Sequence, residues 1–93
     1  MRVAVVGHTE WVQFLALDHV PRAGEIVHAT EAWEDVAGGG AVAAVQLRKL
    51  AGEADFFTAL GDDDDGRAAL ARLQELGVDA HVAWRAAPQR RAV

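Results

Sequence analysis

The sequence predicts an α/β fold in which helices flank a parallel sheet. Three short apolar segments have the length and composition of strands: residues 3–6, 54–60 and 80–84. One segment with helical periodicity lies before the second of these strands, and another lies before the third. The order strand, helix, strand, helix, strand is typical of βαβ units on a parallel sheet.

The first strand and the segment after it differ in pattern. Residues 3–6 form an unbroken apolar run that stops at Gly7, which predicts a strand buried on both faces. Residues 11–20 and 26–36 are rich in β-forming side chains and flank a turn that contains Pro21 and Gly24. We therefore expect a β hairpin within about residues 11–36, inserted after the first strand.

The first helix is expected at residues 41–50, directly after three glycines. Val42, Val45 and Leu50 lie near one face of this helix and are its predicted apolar side.

The second helix is expected at residues 64–76. Its end carries Gly77 in the position of a left-handed residue, with Val78 packing back on Leu73. The acidic run 62–65 at its start is interpreted as capping the helix rather than as a metal site, since no calcium-loop spacing is present. A turn at Pro88 then leads to residues 90–93, which look like the start of another strand.

Composition and charge exclude several classes of function. The 93 residues are 52% hydrophobic with a net charge of -5, and no basic stripe is present, so nucleic acid and anionic membranes are not expected partners. Cysteine is absent, and the apolar N-terminus is too short for a signal peptide or a membrane span. We expect a soluble cytoplasmic protein. The four histidines, at positions 8, 19, 28 and 81, have no metal-ligand spacing, so no metal site is predicted.

The segment from residue 37 to 61, AGGGAVAAVQLRKLAGEADFFTALG, resembles the first signature of the ribokinase-like (PfkB) carbohydrate kinases. The matching positions are Ala37, Gly38, Gly40, Ala44 and Gly61, whereas Val42 and Ala51 depart from the usual asparagine and glycine or serine. The flanks agree as well: residues 18–25 resemble the lid turn of this family, and residues 60–66 and 76–79 resemble its next loop and helix end.

This resemblance implies a ribokinase-like fold in which residues 1–93 are the N-terminal part of a kinase domain and residues 11–36 form a lid over the substrate. The second signature of the family, Gly-Ala-Gly-Asp, is not in this sequence. In relatives it supplies the catalytic base and the anion hole, and the ATP and Mg²⁺ contacts lie in the same C-terminal half. We therefore expect no catalytic residue here, no activity from the 93 residues alone, an unfinished sheet and marginal stability.

The resemblance also points to a substrate site. In sugar-phosphorylating relatives, an aspartate and an asparagine bind sugar hydroxyls at the positions of Val12 and Val42. The expected substrate-binding residues are Glu10, Val12, Gly38, Gly39, Gly40 and Val42. Glycines at a helix start let a ligand approach the backbone, although the triplet is also consistent with a sharp turn alone, and Glu10 with a solvent-facing side chain.

The two valines leave more than one function open. The first hypothesis is part of an active carbohydrate or nucleoside kinase, and the valines favour a ligand with an apolar portion, such as a nucleoside. The second is a PfkB-fold binder of a small metabolite without kinase activity. An independent interaction module is the third and least supported. The lid is also a candidate homodimer surface. Trp11 and Trp33 on the lid could stack on a ligand, but we expect them to pack the lid sheet.

Overall fold

The computed structural model describes all 93 residues. The elements follow the chain as β1 (Ala4–Val6), β2 (Glu10–Ala16), β3 (Glu31–Ala37), α1 (Gly39–Ala51), β4 (Asp55–Gly61), α2 (Asp64–Glu75), β5 (Asp79–Arg85) and β6 (Arg91–Ala92). The predicted α/β class, with a parallel sheet and flanking helices, is confirmed. Neither helix is long and apolar enough to cross a membrane.

The main sheet is parallel, with β4 paired to β1 on one side and to β5 on the other. Both helices pack on the same face of this sheet. The core between them consists of Ala41 and Ala44 from α1, Phe56 from β4, and Leu73 and Val78 from α2 and the turn that follows it. Burial of these side chains is the main apolar contribution to the stability of the chain.

The opposite face of the main sheet is open. Side chains alternate along β4, so that Phe56 and Thr58 are buried under the helices whereas Phe57 is exposed. On β1, Val6 is 83% exposed. The prediction that the first strand is buried on both faces is therefore wrong, because the two helices cover one face only.

A second sheet has the strand order β3-β2-β6. β2 and β3 are antiparallel, with Glu10 opposite Ala37 and Ala16 opposite Glu31. The last strand, β6, pairs parallel to β2 with Trp11 opposite Arg91. The expected strand near residues 90–93 therefore exists, but it joins this second sheet.

Strands β2 and β3 are shorter than the predicted strands at residues 11–20 and 26–36, and residues 17–30 form no strand. Side chains in this loop bond locally. His19 lies between the carboxylates of Asp18 and Glu25, and Glu25 also accepts the Arg22 amide at 3.1 Å. Such local hydrogen bonds compete with the strand ladder. The bond from His19 and the Arg22 amide lower the pKa of Glu25.

Helix α1 begins earlier than predicted, and its buried face differs in part from the predicted one. The predicted apolar residues Val42 and Leu50 are 58% and 74% exposed, while Ala41 and Ala44 are buried. The third predicted residue, Val45, packs against the core. The small alanine side chains let α1 lie close to β1 and β4. The predicted apolar face is therefore wrong for Val42 and Leu50 and confirmed for Val45.

Helix α2 closely matches its prediction. Gly77 has φ +82°, the Val78 amide donates to the Leu73 carbonyl at 3.1 Å, and the Gly77 amide donates to the Gln74 carbonyl at 3.0 Å. This is the predicted Schellman ending.

Ion pairs connect α2 to the second sheet. Arg72 Nε lies 2.9 Å from Asp35 Oδ1, and Arg91 reaches both Asp65 at 2.5 Å and Glu34 at 3.1 Å. The Trp11 indole donates to Glu34 at 2.7 Å. The bonds from Trp11 and Arg91 lower the pKa of Glu34. Because the pairs are partly exposed, each contributes little stability alone, and their main effect is to orient the second sheet on α2.

Asp63 is the N-cap of α2. Its Oδ1 accepts the Gly66 amide at 2.8 Å, which confirms the capping interpretation of the acidic run. Its Oδ2 accepts the Gln89 amide at 2.9 Å. The Gln89 and Gly66 amides lower the pKa of the Asp63 carboxyl. Ionised Asp63 therefore stabilises the folded chain at neutral pH, and this contribution is lost as the pH falls from about 3.9, the ordinary carboxyl value, through the lower folded value.

We predict that Asp63→Asn lowers the melting temperature at pH 7, by on the order of 5 °C, and weakens the loss of stability on acidification. Asparagine can still cap the helix, but it carries no charge and cannot accept both amides. The measurement is thermal unfolding followed by circular dichroism between pH 7 and pH 2. Asp62→Asn is the control, because Asp62 is exposed and bonds only Arg67. An unchanged pH profile in Asp63→Asn would contradict this role.

Candidate functional site

A cavity lies at the carboxyl ends of the three parallel strands. It has a volume of about 880 Å³, and its walls include Val6 at the end of β1, Leu60 near the end of β4 and Arg85 at the end of β5. The loop 86–90 closes one side. In open α/β sheets, ligands bind in the crevice outside the carboxyl ends of the strands, so this cavity is at the expected edge for a ligand site.

A buried polar cluster fixes the floor of this cavity. Thr9 and Thr58 share a hydrogen bond of 2.8 Å between their hydroxyls, and Thr9 is 2% exposed. Gln89 is also buried. Its side-chain oxygen accepts the Gly61 amide at 2.8 Å, and its side-chain nitrogen donates to the Thr9 carbonyl at 2.9 Å. These bonds join the segment after β1, the end of β4 and the loop 86–90.

The glycine turn between β3 and α1 packs against the segment after β1. Gly38 has φ +94°, a conformation that favours glycine, and a side chain there would lie 2.9 Å from the Glu10 amide nitrogen. A Cβ on Gly40 would lie 2.7 Å from the Gly7 Cα and 2.8 Å from the His8 amide nitrogen. Glycine is required at both positions by this close approach of two backbone segments.

His8 lies over the start of α1, which has no side-chain N-cap of its own. The Gly39 amide donates to His8 Nε2 at 3.4 Å, and the Ala41 amide donates to the His8 carbonyl at 3.3 Å. His8 Nε2 also lies 3.8 Å from Glu10 Oε1. His8 therefore brings Glu10 and the glycine turn together, and it also lines the cavity.

The predicted site residues divide into two groups. Glu10, Gly38 and Gly39 lie together around His8, and Gly40 packs on Gly7 and His8. Val12 is buried in β2, whereas Val42 is exposed on the first turn of α1. None of the predicted residues lines the cavity itself. The neighbouring residues Gly7 and His8 do line it.

Sequence reasoning missed His8 and Gln89. The sequence predicts only that His8 is not a metal ligand, and it predicts nothing about Gln89. His8 directly follows Gly7, the glycine that ends the first apolar run, and so it lies in the loop after a strand. This position was the only sign in the sequence that His8 could belong to a site. Nothing in the local pattern around Gln89 indicates that its side chain is buried.

The chain matches the family model described as pfkB family carbohydrate kinase over residues 1–90. It is similar to a ribokinase from Dictyostelium discoideum, with 31% identity over 77 residues. That match covers 83% of this chain and 24% of the Dictyostelium protein. The chain therefore spans about a quarter of the length of this relative.

Solved structures show the same similarity. A ribokinase from Thermotoga maritima matches with a TM-score of 0.79 and 27% identity, over 98% of this chain and 31% of that chain. A ribokinase from Cryptococcus neoformans, solved in complex with ADP, matches with a TM-score of 0.69 and 26% identity, over 99% of this chain and 26% of that chain.

Proposed function

Because the chain belongs to the pfkB family of carbohydrate kinases, we propose that it forms the N-terminal, substrate-binding and lid part of an ATP-dependent kinase. The proposed reaction is phosphorylation of a hydroxyl group on a carbohydrate or nucleoside. The observation that carries this proposal is the glycine turn of α1, which packs on residues 7–10 beside the cavity at the carboxyl ends of the main sheet.

The proposed substrate site is built around this turn. Glu10 supplies a carboxylate that can accept hydrogen bonds from substrate hydroxyls. Its Oε1 lies 3.8 Å from His8 Nε2, which is longer than a hydrogen bond, so the carboxylate can still accept from a ligand hydroxyl. Gly38, Gly39 and Gly40 expose backbone next to it, and Val12 and Val42 replace the polar side chains of sugar-binding relatives. An apolar contact in place of two hydroxyl partners favours a substrate with an aromatic portion.

The proposed lid is the β2–β3 pair with the loop 17–30. The base of the pair is held on α2 by Arg72 and Arg91, while its far end carries the stacked rings of Phe14 and Trp33, whose centroids are 5.5 Å apart. Both rings are exposed. A lid of this kind excludes water from a bound substrate. The exposed aromatic pair is also the surface through which we propose a homodimer.

ATP and Mg²⁺ are proposed as cofactors on the basis of the family and of the ADP complex of the Cryptococcus ribokinase. ATP supplies the phosphoryl group, and the metal ion neutralises its charge during transfer. No three His, Asp or Glu side chains of these residues converge on one point, so they do not by themselves fit a magnesium site. We propose that the nucleotide and metal contacts, and the catalytic base, belong to the C-terminal part of the kinase.

The second candidate function is a small-metabolite binder of the same fold without kinase activity. The observation that favours it is the pair of valines at positions 12 and 42, because both polar substrate anchors are missing together. The location of the protein in the cytoplasm stays a prediction of the sequence.

We predict that a protein carrying this chain and the C-terminal part of the family transfers phosphate from ATP to a sugar or nucleoside, and that the 93-residue chain alone does not. The measurement is a coupled ADP-release assay with a panel of sugars and nucleosides, with a preparation from cells lacking the gene as the contaminant control. Turnover by the 93-residue chain would contradict the assignment of the catalytic base and the nucleotide site to the C-terminal part. Binding without turnover in the longer protein would favour the second candidate.

We predict that the longer protein binds adenosine more tightly than ribose or fructose, and that Val42→Asn improves ribose binding by roughly tenfold, since one hydrogen bond to a sugar hydroxyl contributes on the order of 1 kcal/mol or more. Isothermal titration calorimetry measures each affinity. Leu50→Asn is the matched control, because Leu50 is exposed at the far end of the same helix. Tight ribose binding that Val42→Asn leaves unchanged or weakens would contradict a role for Val42 in specificity.

A further inference from the structure

The lining of the cavity contains basic but no acidic side chains, although the chain as a whole is acidic. The chain contains 14 Asp and Glu residues and has a net charge of -5. None of those acidic residues is among the 17 residues that line the cavity. Arg85, Arg90, His8 and His81 do line it. An acidic chain thus has a concave surface whose only ionisable side chains are basic.

The two arginines of the cavity are free of ion pairs. Arg67, Arg72 and Arg91 each bind carboxylates, and so these arginines are already neutralised. No carboxylate lies within ion-pair distance of Arg85 or Arg90, and both residues are exposed. Their guanidinium groups are available to a ligand.

The backbones of both arginines are held in place. The Arg85 carbonyl accepts the Asp62 amide at 2.9 Å, and the Arg90 carbonyl accepts the Trp11 amide at 3.0 Å. Gln89 fixes the loop between them through its bonds to Gly61 and Thr9. The two arginines therefore stand at the two ends of a clamped loop on the cavity rim.

Other polar groups of the cavity are already engaged. Thr9 and Thr58 bond each other, Gln89 bonds the backbone, and His81 lies 2.9 Å from Asp55 while stacking on Phe57. The guanidinium groups are thus the cavity's main unengaged hydrogen-bond donors. A planar guanidinium pairs with an oxyanion through two parallel bonds.

We propose that this cavity binds a small polar molecule through an oxyanion group, a phosphate monoester or a carboxylate, held by Arg85 and Arg90. A volume of about 880 Å³ accommodates a molecule of the size of a sugar phosphate. The binding site does not depend on the kinase reaction. Only its use for substrate selection rests on the proposed function, and it would make the preferred substrate an anionic one.

The test is calorimetry on the 93-residue chain with ribose 5-phosphate, ribonate and ribose at low ionic strength. We expect ribose 5-phosphate, ribonate or both to bind at least tenfold more tightly than ribose. Arg85→Gln and Arg90→Gln should each weaken that binding by about tenfold or more, since a hydrogen bond between two charged groups is stronger than one between neutral groups. Arg90→Lys, which keeps the charge but loses the planar fork, should retain part of the affinity.

Arg22→Gln is the matched control, because Arg22 also has no ion pair but lies in the loop 17–30 and not in the cavity. Tight binding of the phosphate alone identifies a phosphate monoester as the ligand group, and equal binding of ribonate identifies a general oxyanion site. Equal affinity for all three compounds, or the same loss in Arg22→Gln as in the cavity variants, would overturn the proposal. Because no turnover is measured, this result is separate from the success or failure of the kinase assay.

Discussion

The side chain of Gln89 connects parts of the chain that are far apart in sequence. Although it is polar, it is only 5% exposed, and both ends of its amide are used: the oxygen by the Gly61 amide and the nitrogen by the Thr9 carbonyl. Its own backbone amide bonds the carboxylate of Asp63, the N-cap of α2. Removing a partner from such a buried network costs about 1–3 kcal/mol for each group left without a hydrogen bond. Loop 86–90, the end of β4 and the start of α2 therefore hold their positions together.

This arrangement determines where the candidate site can form. The segment after β1 is held from one side by Gln89 through Thr9, and on the other side Gly40 packs on Gly7. The same segment carries His8, which bonds the start of α1 and lines the cavity. The glycine turn packs on this segment, and the loop that carries Arg90 bonds to it through Gln89. The proposed substrate-binding residues and the cavity rim are therefore positioned by the same segment. Glycine at positions 38 and 40 follows from the close approach of these backbones.

Local signals in the sequence predicted much of the fold. The left-handed Gly77, capping of α2 by the acidic run 62–65 and the order of strands and helices depend on neighbouring residues, and all three were predicted. The exposure of Val42 and the pairing of β6 with β2 depend on contacts between distant segments, which periodicity does not record. Residues 17–30 formed no strand because side chains such as His19 bond within the loop. For the candidate site, resemblance to the family predicts the glycine turn and places Glu10 near the expected anchor, and their role in binding stays a prediction. Gln89, whose bonds reach back to Thr9, could not be predicted in this way.

Native-state hydrogen exchange on the 93-residue chain tests the central role of Gln89 most directly. The Gly61 amide donates to the Gln89 side chain, and the Gln89 amide donates to Asp63. If this network holds the fold together, both amides should exchange only by global unfolding, with the same free energy of opening as amides of the helix core near Leu73. Exchange of Gly61 and Gln89 by local opening, at rates like those of the loop 17–30 while the core stays protected, would contradict this account.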